Sequence, residues 1–212
     1  MSTPALPRES ESEPAVVGLL LAAGRSRRFG GDKQLQPLPS GEPMAVHCAR
    51  TLAAGAGQAW VLLRPEHAAL EQHLHRLATT IDPGTLTVLP VAEADAGMGH
   101  TLAAGVRATP EALGWVVALA DMPRLQACTV AAVAQALRDG ASLAAPFHQG
   151  QRGHPVGFGR EWRDALMALQ GDAGARDLLR QHAGRITRVA VDDPGCLQDI
   201  DTPDDWQRIV LP

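Results

Sequence analysis

Short apolar segments alternate with longer amphipathic segments along almost the whole chain. The apolar run that begins at Val16 has the length of a strand and is bounded by glycine, which is typical of a strand buried on both faces of a parallel sheet. Similar short runs predict further strands at residues 59–63, 86–89, 115–120, 142–146 and 186–191. The repeated spacing of these runs predicts one continuous sheet.

Segments with helical periodicity lie between the predicted strands. In residues 66–77, Leu70, Leu74 and Leu77 form one apolar stripe, and residues 129–138 show the same kind of spacing. Further helices are predicted at residues 44–54, 103–108, 162–169 and 177–182. The regular alternation predicts a doubly wound α/β fold, in which helices flank a mostly parallel sheet in a Rossmann-like arrangement.

Composition narrows the class of protein. A length of 212 residues predicts a single domain, which we place at residues 15–212, after a Pro-, Ser- and Glu-rich tail at residues 1–14 that we expect to be disordered. A net charge of −4 and an aromatic content of 3% argue against nucleic-acid binding. No apolar run is long enough for a membrane span. Three widely spaced cysteines favour a reducing, cytoplasmic location.

The loop after the first strand carries the strongest candidate chemistry. It combines glycines with four cations, namely Arg25, Arg27, Arg28 and Lys33. A glycine loop at the carboxyl end of a buried strand is a common nucleotide site, because exposed N–H groups and basic side chains bind phosphate there. Two familiar phosphate motifs do not fit, since Lys33 precedes Gln34 rather than Ser or Thr, and Ser26 replaces the second glycine of the dinucleotide pattern. The alternative is a solvated basic loop.

Acidic residues stand at two further points of interest. Asp121 directly follows the predicted strand at 115–120, where a carboxylate would suit Mg²⁺, although it could also cap the next turn. Asp199 and Asp201 alternate near the carboxyl terminus and would point to the same side of an extended segment. The next residues predict a helix start, with Thr202 as N-cap and Asp205 as its acidic partner.

Five sequence features together resemble one enzyme family. Leu21-Ala22-Ala23-Gly24-x-Ser26-x-Arg28-Phe29-Gly30-x-x-Lys33 resembles the signature loop of the MobA-like nucleotidyltransferases, with Phe29 where the family usually has methionine. The Ala-Ala-Gly form is most similar to the branch that transfers CMP to molybdopterin. The other features follow in family order: Gly-x-Gly-x-Thr at 97–101, Asp-Met-Pro at 121–123, Gly-His-Pro-Val at 153–156, and Gly-Asp-x-Gly-Ala-Arg at 171–176 with Asp-Ile-Asp-Thr-Pro at 199–203.

The resemblance implies transfer of CMP from CTP to the terminal phosphate of molybdopterin, with release of pyrophosphate and with Mg²⁺ as cofactor. It implies these nucleotide-binding residues: Leu21, Ala22, Ala23, Gly24, Arg25, Lys33, Gly97 and Thr101. It implies these catalytic residues: Arg25, Arg28, Lys33 and Asp121. The implied metal ligands are Asp121 and Asp201, with Asp199 as the alternative to Asp201, and the implied acceptor-binding residues are His154, Asp172 and Arg176.

Two other functions remain open from the sequence. The same chemistry could use GTP or another nucleoside triphosphate with a different phosphorylated acceptor. The protein could also be a non-catalytic carrier that delivers molybdenum cofactor to a client molybdoenzyme. The acidic pair and Lys33 argue against the carrier, because a binding protein has no need of a metal-bridged triphosphate.

Overall fold

The computed structural model describes residues 15–26, 29–172 and 174–210. The strands are β1 (Val16–Ala22), β2 (Ala59–Leu63), β3 (Leu86–Pro90), β4 (Gly114–Leu119), β5 (Leu143–His148), β6 (Gln151–Arg152), β7 (Val156–Gly159) and β8 (Ile186–Ala190). The helices are α1 (Met44–Ala56), α2 (Ala68–Ala78), α3 (Met98–Ala108), α4 (Ala127–Arg138), α5 (Arg163–Met167), α6 (Arg176–Gln181) and α7 (Pro203–Val210). The predicted tail at residues 1–14 lies outside the described residues.

One mixed sheet forms the centre of the fold, and the predicted α/β architecture is confirmed. Its strand order is β3-β2-β1-β4-β7-β5-β6, and β8 pairs with β5. The pairs of β1 with β2 and β4, of β2 with β3, and of β5 with β8 are parallel, whereas β7 runs antiparallel to both of its neighbours. The carboxyl ends of β1 and β4 therefore lie side by side at one edge of the sheet, where open α/β sheets bind ligands.

Alternate residues of β1 supply two separate cores. Val16 and Leu20 face a layer that contains the apolar stripes of α1, α2 and α4. Val17 and Leu19 face the opposite layer, which includes buried residues of α3, α5 and α6. Because both faces are covered by helices, the strand is apolar throughout, which is the pattern from which it was predicted. No helix in the described part of the chain combines the length and hydropathy needed to cross a membrane.

Two strands, β6 and β7, were not predicted, and two helices differ from their predicted bounds. The segment after Gly153 contains the short strand β7, which was not predicted because two of its four residues are glycines and its pairing is entirely long-range. Helix α3 begins at Met98 rather than at Ala103, so Gly99 lies inside its first turn. The helix expected at 162–169 is a 3₁₀ turn at Arg160–Trp162 followed by the short α5.

Candidate active site

A cleft of about 460 Å³ opens at the carboxyl edge of β1 and β4. The predicted site residues that line it come from every part of the chain: Leu21, Ala23, Gly24, Arg25, Lys33, Gly97, Thr101, Asp121, Asp172 and Asp201. The loop after β1 forms one side of the cleft, and the start of α3 forms the opposite side. The parallel pairing of β1 with β2 and of β2 with β3 brings these two segments to the same edge of the sheet, and the parallel pairing of β1 with β4 brings Asp121 there.

Lys33, Asp121 and Asp201 form what we call the charged cluster. The Lys33 ammonium donates to Asp121 Oδ2 at 2.9 Å and contacts Asp201 Oδ1 at 3.4 Å. It also donates to the main-chain oxygen of Ile200. Lys33 is buried, with 8% of its surface exposed, so three oxygen atoms take the place of water around its charge.

The electrostatic setting of Asp121 is a balance of opposed effects. Burial raises the pKa of Asp121 above its ordinary value of 3.8, and the neighbouring Lys33 ammonium opposes this rise. The negative charges of Asp199 and Asp201 add to the rise. Asp121 Oδ1 is buried and accepts no hydrogen bond from the part of the chain that the structure describes. This oxygen is therefore available to a cation or to a donor on a ligand.

Asp201 is held in place by a helix cap. The Asp205 carboxylate accepts from the main-chain N–H groups of Asp201 at 3.1 Å and Thr202 at 2.9 Å, and Asp205 N donates to Thr202 Oγ1 at 3.2 Å. These contacts confirm the predicted capping arrangement at the start of α7. The main-chain N–H of Ile200 donates to the Asp121 carbonyl at 3.0 Å, which ties the segment to the end of β4.

Phe29 provides a second tie between the first loop and α7. Its ring packs edge-on against the ring of Trp206, with 6.3 Å between the ring centres. The large aromatic side chain at the position where the resemblance expects methionine thus has a packing partner on the helix that follows Asp201. This contact helps to bring the first loop and the carboxyl-terminal acidic segment to the same cleft.

Arg25 spans the two sides of the cleft. Its guanidinium Nε donates to Asp95 Oδ1 at 3.0 Å, and a second nitrogen contacts the other carboxylate oxygen of Asp95. The hydrogen bond to Asp95, followed by the attraction of its charge, raises the pKa of Arg25. Both side chains are about half exposed, so a charged ligand can exchange partners with this pair.

Gly97 lines the opposite side of the cleft and packs closely against other glycine-rich main chain. Gly97, with φ at +120°, lies so close to residues 171–172 that an added Cβ would overlap the main chain of Gly171 and stand 2.7 Å from Asp172 Oδ1. Gly99 N donates to Gly171 O at 2.8 Å, and a Cβ on Gly99 would meet the main chain of Gln170 at 2.8 Å. We call Gly97, Gly99 and Gly171 the glycine wall. The Gly-x-Gly-x-Thr motif at 97–101 and the Gly-Asp-x-Gly-Ala-Arg motif at 171–176 therefore pack directly against each other.

Three predicted residues differ from the rest in burial or in hydrogen bonding, and a fourth is not described by the structure. Ala22 is fully buried in the core beneath the first loop, and Arg176 is exposed at the start of α6 and does not line the cleft. The Thr101 hydroxyl lines the cleft but is already engaged, since it donates to Gly97 O at 3.3 Å. Arg28 lies outside the described residues. The assignments of these residues stay predictions.

His154 precedes β7 by two residues and is not among the residues that line the cleft. Its main-chain N–H donates to Cys196 O at 2.9 Å. Burial lowers the pKa of its imidazole, as does the positive charge of Arg152, while Asp199 acts in the opposite direction. Because β7 runs antiparallel to β4, His154, which precedes β7, comes to the same edge of the sheet as the residues that follow β1 and β4.

Two residues of the site were missed by the sequence analysis. Gln34 is buried and lines the cleft, and its side-chain nitrogen lies 3.5 Å from Gly24 O. His100 Nδ1 accepts from the main-chain N–H of Gly171 at 3.2 Å and so fixes the glycine wall. Gln34 could have been found from the sequence, because it directly follows Lys33 of the first loop. His100 could not, because its partner Gly171 is 71 residues away along the chain.

Comparisons with known proteins identify a family and several relatives of this chain. The family model described as MobA-like NTP transferase domain matches residues 18–186. Purine catabolism protein PucB of Bacillus subtilis is 30% identical over 201 residues, which cover 92% of this chain and 96% of that protein. Molybdenum cofactor guanylyltransferase of Cupriavidus necator is 33% identical over 203 residues, which cover 90% of this chain and 94% of that protein.

A solved structure gives the same result for the fold. The crystal structure of Rv0371c from Mycobacterium tuberculosis superposes with a TM-score of 0.75 and 26% identity, covering 94% of this chain and 98% of that one. Another structure of Rv0371c is a complex with manganese. The family match covers most of the chain and includes the first loop, the glycine wall and Asp121. This chain therefore belongs to the MobA-like NTP transferase family.

Proposed function

We propose that the protein transfers CMP from CTP to the terminal phosphate of molybdopterin and releases pyrophosphate. The observation that carries the proposal is the meeting of Lys33, Asp121 and Asp201 in one cleft beside a glycine-rich loop. Membership of the family makes the protein a nucleotidyltransferase. The choice of cytosine and of molybdopterin rests on the Ala-Ala-Gly form of the first loop and on the Gly-Asp-x-Gly-Ala-Arg run.

The first loop suits the triphosphate of the donor. Ala23 and Gly24 lie on the cleft at the end of β1, with Arg25 and Lys33 beside them. These groups would hold the β- and γ-phosphates and stabilise the negative charge of the departing pyrophosphate. The attacking phosphate of the acceptor is already ionised at neutral pH, so the reaction needs positioning and charge compensation rather than a general base.

Asp121 and Asp201 fit a divalent cation. Their carboxylate oxygens contact one common nitrogen, and Asp121 Oδ1 is buried without a partner in the described part of the chain. No group of three or more His, Cys, Asp or Glu residues in the described ranges is arranged to hold a metal. Two protein carboxylates, completed by phosphate oxygens and water, are a usual environment for Mg²⁺. When bound, Mg²⁺ would stabilise negative charge on the α-phosphate.

A GTP-dependent transfer is the second candidate. It is favoured by the relative from Cupriavidus necator, whose name is molybdenum cofactor guanylyltransferase. The charged cluster and the glycine wall would serve GTP and CTP equally, because they face phosphates and sugar rather than a particular base. On either reading we expect the reaction to take place in the cytoplasm and its product to pass to a client molybdoenzyme.

The test is pyrophosphate release from each of the four nucleoside triphosphates, in the presence of Mg²⁺ and molybdopterin. We expect release with CTP that exceeds release with GTP, and none when molybdopterin is left out. A preference for GTP would replace the proposed donor and keep the reaction. Failure of all four nucleotides, with Mg²⁺-independent binding of molybdopterin, would support the carrier instead.

A further inference from the structure

Lys33 differs from every other basic residue of the chain in its chemistry. The sequence contains one lysine and 18 arginines, which together make up its 19 basic residues. An ammonium is compact and can direct three hydrogen bonds to converging acceptors, whereas a guanidinium is planar and needs a wider site. The one lysine stands where three oxygen atoms converge on a buried point, so the residue type fits the geometry.

The contacts of Lys33 are those expected of a metal ion rather than of a phosphate-binding group. Its nitrogen is surrounded by two carboxylate oxygens, from Asp121 and Asp201, and by the main-chain oxygen of Ile200. All three are hard oxygen donors of the kind that bind Mg²⁺ or Mn²⁺. The proposed function assigns Asp121 and Asp201 to the cation and Lys33 to the phosphates, yet in the structure the two carboxylates are bound to Lys33.

The two carboxylate oxygens that Lys33 contacts, Asp121 Oδ2 and Asp201 Oδ1, cannot hold both cations at once. A divalent cation on these oxygens would lie against the Lys33 ammonium, and the repulsion between them would be strong because Lys33 is only 8% exposed. Conversely, without any cation, two neighbouring carboxylates at a partly buried site would repel each other. A positive charge between them relieves this repulsion, and Lys33 supplies one in the structure.

We infer that Lys33 occupies the metal position in the nucleotide-free protein and leaves it when the divalent cation arrives with the triphosphate. The inference rests on the proposed function for the identity of that ligand. Rotation of the side chain about its four-carbon stem turns the ammonium from the carboxylates towards the phosphates on the same cleft. The side-chain nitrogen of Gln34, the residue after Lys33, lies 3.5 Å from the main-chain oxygen of Gly24, so this part of the chain is already beside the first loop.

The exchange has a consequence for the order of binding. Metal alone must displace a buried ion pair and leave the ammonium without an acceptor, so it binds weakly. The triphosphate supplies new acceptors for the ammonium and new ligands for the metal at the same time. Metal and nucleotide therefore bind cooperatively, and Lys33 is the residue that couples them.

Mn²⁺ binding without nucleotide tests this directly, because the paramagnetic resonance signal of free Mn²⁺ disappears on binding. We expect Lys33→Met to bind Mn²⁺ about tenfold more tightly than the unaltered protein. Adding Asp121→Asn to Lys33→Met should abolish the gain. Arg107→Gln, which removes an exposed cation outside the cleft, should change the affinity by about twofold at most. Equal or weaker binding by folded Lys33→Met would overturn the inference.

A second measurement uses the unaltered protein. Because the chain has a single lysine, incorporation of ¹³C- and ¹⁵N-labelled lysine gives one NMR signal for the terminal Cε–Nζ group, and that signal belongs to Lys33. We expect Mg²⁺ with CTP or GTP to shift this signal strongly and equimolar Mg²⁺ alone to leave it near its starting position. A signal that Mg²⁺ alone moves as far, or that neither nucleotide moves, would contradict the exchange.

These results separate the inference from the proposed function. Tighter Mn²⁺ binding by Lys33→Met can be observed in a protein that uses none of the four nucleotides, in which case only the proposed function fails. Pyrophosphate release by a protein whose Lys33→Met variant binds Mn²⁺ no better would leave the function intact and remove the exchange.

Discussion

The two sides of the cleft are built in opposite ways. The charged cluster depends on side chains, because Lys33, Asp121 and Asp201 each contribute a buried or half-buried charge. The glycine wall depends on the absence of side chains, because main-chain groups of residues 97–99 and 170–172 touch where a Cβ would not fit. Substitutions in the cluster should therefore change the chemistry first, whereas substitutions in the wall should change the fold first.

Asp121→Asn gives the sharpest test of the charged side. The amide has the same shape but no charge, so we expect turnover to fall by about a thousandfold or more while the fold is kept. Pyrophosphate release and circular dichroism measure the two effects. Turnover within a few-fold of the unaltered protein would show that the charged cluster has no catalytic role.

The same variant tests the raised pKa of Asp121. Between 3.8 and its native pKa, Asp121 binds more protons in the folded state than in the unfolded state. The unfolding free energy that it contributes therefore falls as the pH rises through this window, and Asp121→Asn lacks this dependence. Thermal unfolding of both proteins across the acidic range measures the difference. If the unaltered protein instead became more stable relative to Asp121→Asn as the pH rises, the predicted direction of the pH dependence would be wrong.

Gly97→Ala tests the opposite side and has a matched control. Both Gly97 and Gly41 have positive φ, at +120° and +82°, but an added Cβ on Gly41 meets nothing within 4 Å. We expect Gly41→Ala to lower the unfolding free energy by about 1 kcal/mol through backbone strain alone. Gly97→Ala should lower it by about 3 kcal/mol, because it also forces apart α3 and residues 171–172.

Chemical denaturation of the two variants isolates the packing of the wall from the strain of the backbone. Nucleotide affinity should fall in Gly97→Ala and stay unchanged in Gly41→Ala, since Gly41 does not line the cleft. Equal destabilisation of the two variants would show that the close approach at Gly97 does not contribute to stability.

Asp205→Ala should have the smallest effect of these variants. It tests whether a helix cap that stabilises the fold also positions Asp201. It removes the acceptor that fixes the N–H groups of Asp201 and Thr202, whereas Asp204→Ala changes an exposed residue in the same turn. We expect a lower melting temperature and an approximately tenfold loss of turnover (about the effect of slight misplacement) only for Asp205→Ala. Identical results for both variants would exclude a positioning role for the cap.

The cap also has a defined pH dependence. Hydrogen bonds, first from the Thr202 hydroxyl and then from the Asp201 N–H, lower the pKa of Asp205 below 3.8. Its stabilising contribution is therefore present above pH 3.8 and is lost as the pH falls through the lower native value. The difference in melting temperature between Asp205→Ala and the unaltered protein should therefore shrink as the pH falls through the native pKa of Asp205.

The parts of the fold that could be predicted depend on local sequence. The buried strand before the first loop, the position of Asp121 at the end of β4 and the cap between Thr202 and Asp205 all follow from patterns within a few residues. The early start of α3 could not be predicted, because a glycine inside a helix is favourable here only through its contact with Gln170.

The parts of the site that escaped prediction are contacts between distant segments. The sequence indicates that Arg25 and Lys33 bind anions, but it does not show that their partners in the structure are Asp95 and Asp121. Side-chain partners at separations of 70 and 88 residues depend on the topology of the sheet rather than on any local pattern. The sequence analysis therefore identified Arg25 and Lys33 as cations of the first loop but did not predict their pairing with carboxylates of the same chain.

The contact of Lys33 with Asp201 joins residues that are 168 positions apart. During synthesis Lys33 and Asp121 are therefore both made well before Asp201 is. A polypeptide that stops short of residue 201 lacks the second carboxylate of the charged cluster, so it cannot form the metal site that we propose.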